Sequence, residues 1–350
     1  MTQLKLLLTG ATGYVGGNVL AQLITSAYPK IADLSITTIV RKQEQADILA
    51  AHGVQTRLFN GLDDKAQLRQ IAADFDIVIH CAMGFHTPSA EALVLGLGDA
   101  MKRSGRQTYF IQTTGTSNLA VSAVSHPNAN VKDFCDTDDV FGEELRREGE
   151  EKYAQRTTDL VVIETAEKTG VKAYLMMPPT IYGKGEGYFH QQSMQIPHTI
   201  EHAIREGRAE YIGDGSGMVG YVHASDLAAL YELLLLRILE GADVPSGRKG
   251  IYFSNTGSFN WKQLNEEIGD IGVRLGALNS PTPVSIRLEE AHCKWGFGGD
   301  IQTLEINHAA KSMTTPKLGF ELGWQPAKTE QDWHNEIEET FKAVFKAHEG

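Results

Sequence analysis

Short apolar runs alternate with longer stretches in which apolar residues return every three or four positions, and this alternation runs through the first half of the chain. Leu4, Leu6, Leu7 and Leu8 suit a strand buried on both faces, and Val15, Val19, Leu20, Leu23 and Ile24 follow at helical spacing. Ser35 to Val40 (SITTIV), Val54 to Phe59, Asp76 to His80 (DIVIH), Tyr109 to Thr113 (YFIQT) and Lys172 to Met177 predict further strands, with helical segments such as the one ending at Ala73 between them. Strands alternating with helices predict an α/β chain built on a doubly wound parallel sheet. After Pro178-Pro179 the pattern changes. Tyr182 to Gly187 reads as loop, Pro197 to Arg205 as a helix, Tyr211 to Gly220 as a glycine-rich connection, Leu227 to Leu239 as a core helix and Ile251 to Asn255 as one more strand.

The glycines between the first strand and the first helix add chemistry to this pattern. Thr9-Gly10-Ala11-Thr12-Gly13-Tyr14-Val15-Gly16 has the spacing TGxxGxxG. Gly10 permits a sharp strand-to-helix turn, Gly13 lets backbone approach a ligand, and Gly16 lets helix pack on strand. The free N–H groups of the helix start then suit a pyrophosphate. Ligands of such sheets bind at the carboxyl ends of the strands, where Gly10, Arg41, Met83 and Thr114 all fall. Arg41, at the tip of the second strand, favours a 2′-phosphate and hence NADP over NAD, since a carboxylate there would repel that phosphate.

The motif resembles the signature of the extended and atypical short-chain dehydrogenase/reductases, which include epimerases, dehydratases and carbonyl reductases. The resemblance extends to Thr180-Ile181-Tyr182-Gly183, similar to an RPxxVYG loop, and to Tyr221-Val222-His223-Ala224-Ser225-Asp226-Leu227-Ala228, similar to a VHVxDLA element. Trp261 to Ile268 and Leu318 to Pro326 look like the family's C-terminal part. It implies a Rossmann-type sheet over residues 1–182, rejoined by about 219–256, and a smaller, mostly C-terminal α/β substrate-binding part over 183–218 and 257–350.

That family reduces carbonyls with a Ser or Thr after the fifth strand and a Tyr-x-x-x-Lys pair on the next helix. Aligned on this sequence, the hydroxyl falls on Thr114, with Thr113 and Thr116 beside it, and the proton donor on Tyr153. The lysine is absent: Thr157 stands four residues on, and Arg156 is the nearest cation of the same helical face. Arg156 is therefore expected to meet the nicotinamide ribose without relaying a proton itself. The resemblance places the cofactor along Gly10, Thr12, Gly13, Tyr14, Val15, Gly16, Arg41, Asn60, Cys81, Ala82, Met83, Thr113, Tyr153, Arg156, Pro179, Thr180 and Ile181. Thr116, Tyr182, His190 and Gln191 are the substrate candidates. Methionines, Met177 and Met218, stand where sugar-nucleotide enzymes carry phosphate-binding arginines, which points to a small or fairly apolar carbonyl compound.

Composition narrows the partners. A formal charge of −12 and a pI near 5.5 over 350 residues argue against nucleic acid and anionic membranes. No stretch suggests export or a membrane span, and Cys81, Cys135 and Cys293 show no pairing pattern, so a cytoplasmic monomer or homodimer is expected. His198-Thr199-Ile200-Glu201-His202 matches an HxxEH metal motif but lacks a third ligand, and no metal is expected. His80 is expected to pack at its strand end. The sequence thus predicts an NADPH-dependent oxidoreductase, with NAD as the alternative cofactor and an epimerase or a non-catalytic NADP sensor as alternative activities.

Overall fold

The first strand, β1 (Lys5–Thr9), buries Leu6, Leu7 and Leu8 completely because helices cover both faces of its sheet. The computed structural model describes residues 3–129, 132–297 and 299–349. From β1 the chain runs through α1 (Tyr14–Ile24), α2 (Pro29–Ala32), β2 (Ser35–Val40), α3 (Gln43–Ala51), β3 (Gln55–Leu58), α4 (Lys65–Ala72), β4 (Ile77–His80), α5 (Thr87–Ser104) and β5 (Tyr109–Thr113). A short β6 (Phe134–Cys135) precedes α6 (Val140–Glu150), α7 (Ala154–Thr169) and β7 (Lys172–Met177). There follow β8 (Thr180–Tyr182), α8 (Gln195–Glu206), β9 (Arg208–Ile212), β10 (Met218–His223), α9 (Ala224–Glu240), β11 (Ile251–Phe253), β12 (Gly257–Asn260) and α10 (Trp261–Arg274). The chain ends with β13 (Ser280–Ile286), α11 (Leu288–Trp295), α12 (Ile301–His308), β14 (Thr314–Thr315), α13 (Lys317–Leu322) and α14 (Glu330–Glu349).

Seven strands form one parallel sheet in the order β11-β7-β5-β4-β1-β2-β3. The direction of winding reverses between β1 and β4, which opens a crevice above their carboxyl ends. The predicted bounds of β2, β5 and β7 match those found, while β3 and β4 are shorter by a residue at one or both ends. A second sheet, β12-β10-β8, stands beside the first. Its strand β10 occupies the end of the stretch read as a glycine-rich connection. Gly217 and Gly220 are there for close packing: a Cβ on Gly217 would come 2.6 Å from the carbonyl oxygens of Ala309 and Ala310, and one on Gly220 2.9 Å from Asn255 Cβ.

Each face of the main sheet has its own core, and a third core gathers Tyr182, Ile196, Ile200, Tyr221, Phe259, Trp261, Trp333 and Phe341 from α8, the second sheet, α10 and α14. Asp226, in the first turn of α9, ties the C-terminal part to this framework. Its carboxylate accepts from the N–H groups of Ala327 and Lys328, and its carbonyl from Trp324 Nε1. No helix among the described residues is long and apolar enough to cross a membrane.

Candidate active site

The glycine turn closes as the spacing requires. Gly10 has φ +77°, and a Cβ on it would lie 2.6 Å from the carbonyl carbon of Cys81, so only glycine fits between β1 and the loop after β4. Gly13 is the N-cap of α1 and brings no side chain to satisfy the N–H groups of the first turn, which leaves them for an anion. The Tyr14 phenol points elsewhere. It donates to the carbonyls of Gly183 at 2.6 Å and Tyr182 at 3.0 Å, binding the start of α1 to the loop after β8. Ile181 packs against Tyr14 and Val15, and Pro179 and Thr180 are buried behind it.

Arg41 is exposed just beyond the end of β2. Asn60 is tied to the start of α4, which Asp64 caps: its N–H donates to Gln67 Oε1 and its side chain to Asp64 Oδ2, each at 2.8 Å. His80 is buried with Nδ1 2.6 Å from Thr9 Oγ1, and burial depresses its pKa to about 4. Cys81 and Ala82 are partly covered, and Met83 is 49% exposed.

Tyr153 is the N-cap of α7, beyond the carboxyl ends of β4 and β5. Its ring meets Phe85 edge-on at 5.7 Å, and its hydroxyl is buried with no full hydrogen bond. Burial raises the phenol's pKa, while the Ser117 hydroxyl and the Arg156 charge oppose that rise. Ser117, in the turn after β5, donates to Gln155 Oε1 at 2.6 Å. The Gln155 amide fills the space between Gly84 and Gly115, where a Cβ would come within 3.2 and 3.3 Å of its nitrogen. The structure therefore brings Phe85, Ser117, Tyr153 and Gln155 together above the crevice.

It does not bring Thr114 there. The Thr114 side chain is buried behind the turn and donates to Asp159 Oδ2 at 2.5 Å. Thr113 is hydrogen-bonded to Tyr231 at 2.7 Å, and Thr116 is also buried. Strand alignment alone cannot tell which hydroxyl of Thr-Thr-Gly-Thr-Ser faces the ligand, because the turn after the strand decides it.

Arg156 is likewise occupied otherwise. Its Nε pairs with Glu148 at 3.2 Å, Nη1 donates to the Asn118 carbonyl at 2.8 Å and Nη2 to the Glu151 carbonyl at 2.7 Å. Glu148 also accepts from the Tyr153 N–H at 3.1 Å and from the hydroxyl of Thr157, the residue standing in the lysine position. The guanidinium thus braces the start of α7, with its Cζ over the Tyr153 ring, 5.7 Å from the ring centre. Neither Glu148 nor Gln155 was legible as a site residue, since a lone Glu or Gln on a polar stretch carries no motif.

Of the substrate candidates, Tyr182 is 1% exposed and packs edge-on against Tyr221, His223 and Trp333. Gln191 pins its own loop, donating to the Gly187 carbonyl at 2.8 Å, and lines a cavity of about 320 Å³ between that loop and α14. His190 is exposed.

The HxxEH histidines lie in the C-terminal part. His198 Nε2 and His202 Nε2 are 3.1 Å apart, each 3.2 Å from the Trp295 carbonyl, and His308 packs against His198. Among the described residues no group of three or more His, Cys, Asp and Glu is arranged to hold a metal. Burial depresses all three pKa values, that of His202 to about 3. The unfolded chain takes up these protons below about pH 6.5 and the native one does not, so stability is expected to fall progressively as pH drops from about 6.5 toward 3. A loss of about 3 kcal/mol at pH 4 follows from His202 alone, with His198 and His308 adding in the same direction, and His202→Phe should flatten that limb of a Tm-against-pH curve.

With this geometry in place, comparison with known proteins becomes informative. Residues 6–244 match the model of the NAD-dependent epimerase/dehydratase family. The chain belongs to that family. It is an NAD(P)-dependent enzyme of oxidoreductase type within the extended short-chain dehydrogenase/reductases. It is 26% identical to Oxidase ucsJ of Acremonium sp over 335 residues, 90% of this chain and 93% of that one. It is 25% identical to a dTDP-4-dehydro-6-deoxy-D-allose reductase of Streptomyces bikiniensis over 250 residues, 68% of this chain and 73% of the relative. The fold matches DesIV, a dTDP-glucose 4,6-dehydratase from Streptomyces venezuelae solved with NAD and TYD bound, at TM-score 0.66 and 16% identity, covering 98% of this chain and 97% of that one. The family and the glycine turn together make the cofactor a nicotinamide dinucleotide.

Proposed function

We propose that the protein reduces a ketone or aldehyde with NADPH, with Tyr153 as the proton donor. The observation that carries this reading is the Tyr153 phenol, held neutral by burial between the Phe85 ring and the Ser117 turn. A phenol whose pKa is raised is a weaker acid, but it stays protonated at neutral pH, so the form present at the start of a turnover is the one that can give a proton to a developing alkoxide. That favours reduction over the epimerase cycle, which needs the same residue to take a proton first. Ser117 replaces Thr114 as the hydroxyl oriented toward the carbonyl oxygen, and Thr114 becomes a support behind it.

The dinucleotide supplies the hydride when bound. Gly10, Gly13 and Gly16 with the first turn of α1 would hold its pyrophosphate, Cys81 to Gly84 and Gln155 would line its nicotinamide end, and Arg156 keeps the start of α7 in place through Glu148 and Asn118. The substrate enters past Phe85 and Met83, which are 45% and 49% exposed, and this supports an apolar carbonyl compound over a sugar nucleotide. Residues 183–218 and 257–350 would contribute its outer wall.

NADPH consumption followed by absorbance with a panel of aliphatic and aromatic ketones and aldehydes tests the reading. Turnover of a substrate without net consumption would replace it with epimerisation. Arg41→Ala is expected to weaken NADPH binding roughly 10- to 100-fold and leave NADH binding within about threefold, read by fluorescence titration of each dinucleotide. Equal losses for both would remove Arg41 from the 2′-phosphate site.

A further inference from the structure

Behind Thr114, two carboxyl groups are shut away from solvent. Glu144 on α6 and Asp159 on α7 are both 0% exposed. The Asn118 amide nitrogen donates to Glu144 Oε1 and to Asp159 Oδ2, each at 2.7 Å, and the Thr114 hydroxyl donates to the same Asp159 oxygen at 2.5 Å. Glu144 Oε2 and Asp159 Oδ1 are left buried without a donor, and Asn118 Nδ2, 2.7 Å from the other oxygen of each carboxyl, holds the two groups side by side. Two carboxylates so placed do not both ionise, because their repulsion in a dry interior exceeds what the neighbouring donors return.

We propose that Glu144 and Asp159 hold a single proton between Oε2 and Oδ1, and that this bridge is a positioning device for the turn carrying Ser117. Asn118 is the link. Its side chain is clamped by both carboxyls, its carbonyl accepts from Arg156, and it shares the turn Thr116–Leu119 with Ser117. Burial raises the Glu144 pKa, and burial together with the Glu144 charge raises that of Asp159 well above the carboxylate range. The charged groups facing Glu144 are Arg156 on α7, which favours ionisation, and Glu148 on α6, which opposes it; the turn after β5 presents only the neutral Thr114 and Asn118. The proposal stands independently of the reaction assigned above.

One shared proton predicts a pattern that packing alone does not. In Asp159→Asn, the amide oxygen accepts from Thr114 and Asn118 while the amide nitrogen donates to Glu144 Oε2, as the proton did. In Glu144→Gln the roles reverse, with the oxygen accepting from Asn118 and the nitrogen facing Asp159 Oδ1. Each single variant is therefore expected to keep a Tm within about 2 °C of wild type at pH 7. In the double variant two NH2 groups face each other with no acceptor, and its Tm is expected to fall at least about 5 °C below the sum of the single effects.

The pH profile gives the second readout. The native pair releases its remaining proton at a higher pH than the unfolded chain does, so wild-type Tm falls as pH rises through that native pKa. Either single amide leaves one carboxylate and flattens this alkaline limb, placing both single variants above wild type at pH 9. Asp159→Ala, which lacks the amide's donor and acceptor, is expected to lose stability that Asp159→Asn retains. Additive behaviour of the double variant, or an alkaline limb unchanged in the single variants, would overturn the shared proton.

Discussion

Valine in place of Gly16 is expected to abolish detectable binding of both NADPH and NADH and to destabilise the fold by about 2–4 kcal/mol. A Cβ at this position would sit 2.6 Å from the Gly10 carbonyl carbon and closer still to its oxygen, so the added atoms meet backbone that cannot turn aside. Relief requires α1 to move off β1, and that movement opens the turn proposed to hold the pyrophosphate. Gly13→Ala separates the two effects. A Cβ there meets only the Gly10 oxygen, at 3.3 Å, so the fold is expected to survive with Tm within about 2 °C, while, on the proposed reading that the first turn of α1 holds the pyrophosphate, dinucleotide binding is expected to weaken at least about tenfold. Fluorescence titration and thermal melts of the two variants distinguish these outcomes. Unchanged binding in Gly13→Ala would show that the first turn of α1 is not the phosphate site.

How far the sequence reached can be read from α6 and α7. The sheet was legible because buried strands such as Leu6 to Leu8 and Ile77 to His80 are continuous apolar runs, a signal that depends on no distant partner. The polar helix α6, Val-Phe-Gly-Glu-Glu-Leu-Arg-Arg-Glu-Gly-Glu, carries the opposite appearance: it buries Glu144 and Glu148 and leaves Leu145 52% exposed. Hydrophobic patterning cannot show that inversion, since it follows from hydrogen bonds to Asn118, Arg156 and Tyr153 that exist only once α6, α7 and the turn after β5 are assembled. Tyr153 was named by resemblance to a motif whose lysine is missing here, and the structure places it at the start of α7. The group beside it was not legible, because the turn Thr116–Leu119 rotates Ser117 toward the phenol and Thr114 toward Asp159.

The same assembly explains how the start of α7 holds its shape without the lysine. A lysine four residues after the tyrosine would project a free ammonium toward the cofactor. Here that position is Thr157, its hydroxyl is bonded to Glu148, and the nearby cation is spent on Glu148 and two carbonyls. On the proposed reading, the site keeps a buried phenol and lacks the lysine that would lower its pKa, so the neutral phenol needed for reduction is the form present at the start of each turnover.

Tyr153→Phe is the sharpest test of that assignment, with an expected fall in kcat of about 10²- to 10⁴-fold and NADPH affinity within about threefold of wild type. Loss of stability will not confound it. The hydroxyl is buried without a full hydrogen bond, so removing it leaves no orphaned partner, and Tm is expected to hold or rise slightly. Because burial keeps the wild-type phenol above its ordinary pKa, kcat for reduction should stay flat from neutrality past pH 9, where an exposed tyrosine would begin to ionise. Ser117→Ala removes the group opposing that rise and the hydroxyl facing the carbonyl, and is expected to lower kcat about tenfold, whereas Thr114→Ser should retain most of the activity. A Tyr153→Phe enzyme with full turnover would move the proton source to solvent and reduce α7 to a wall of the site.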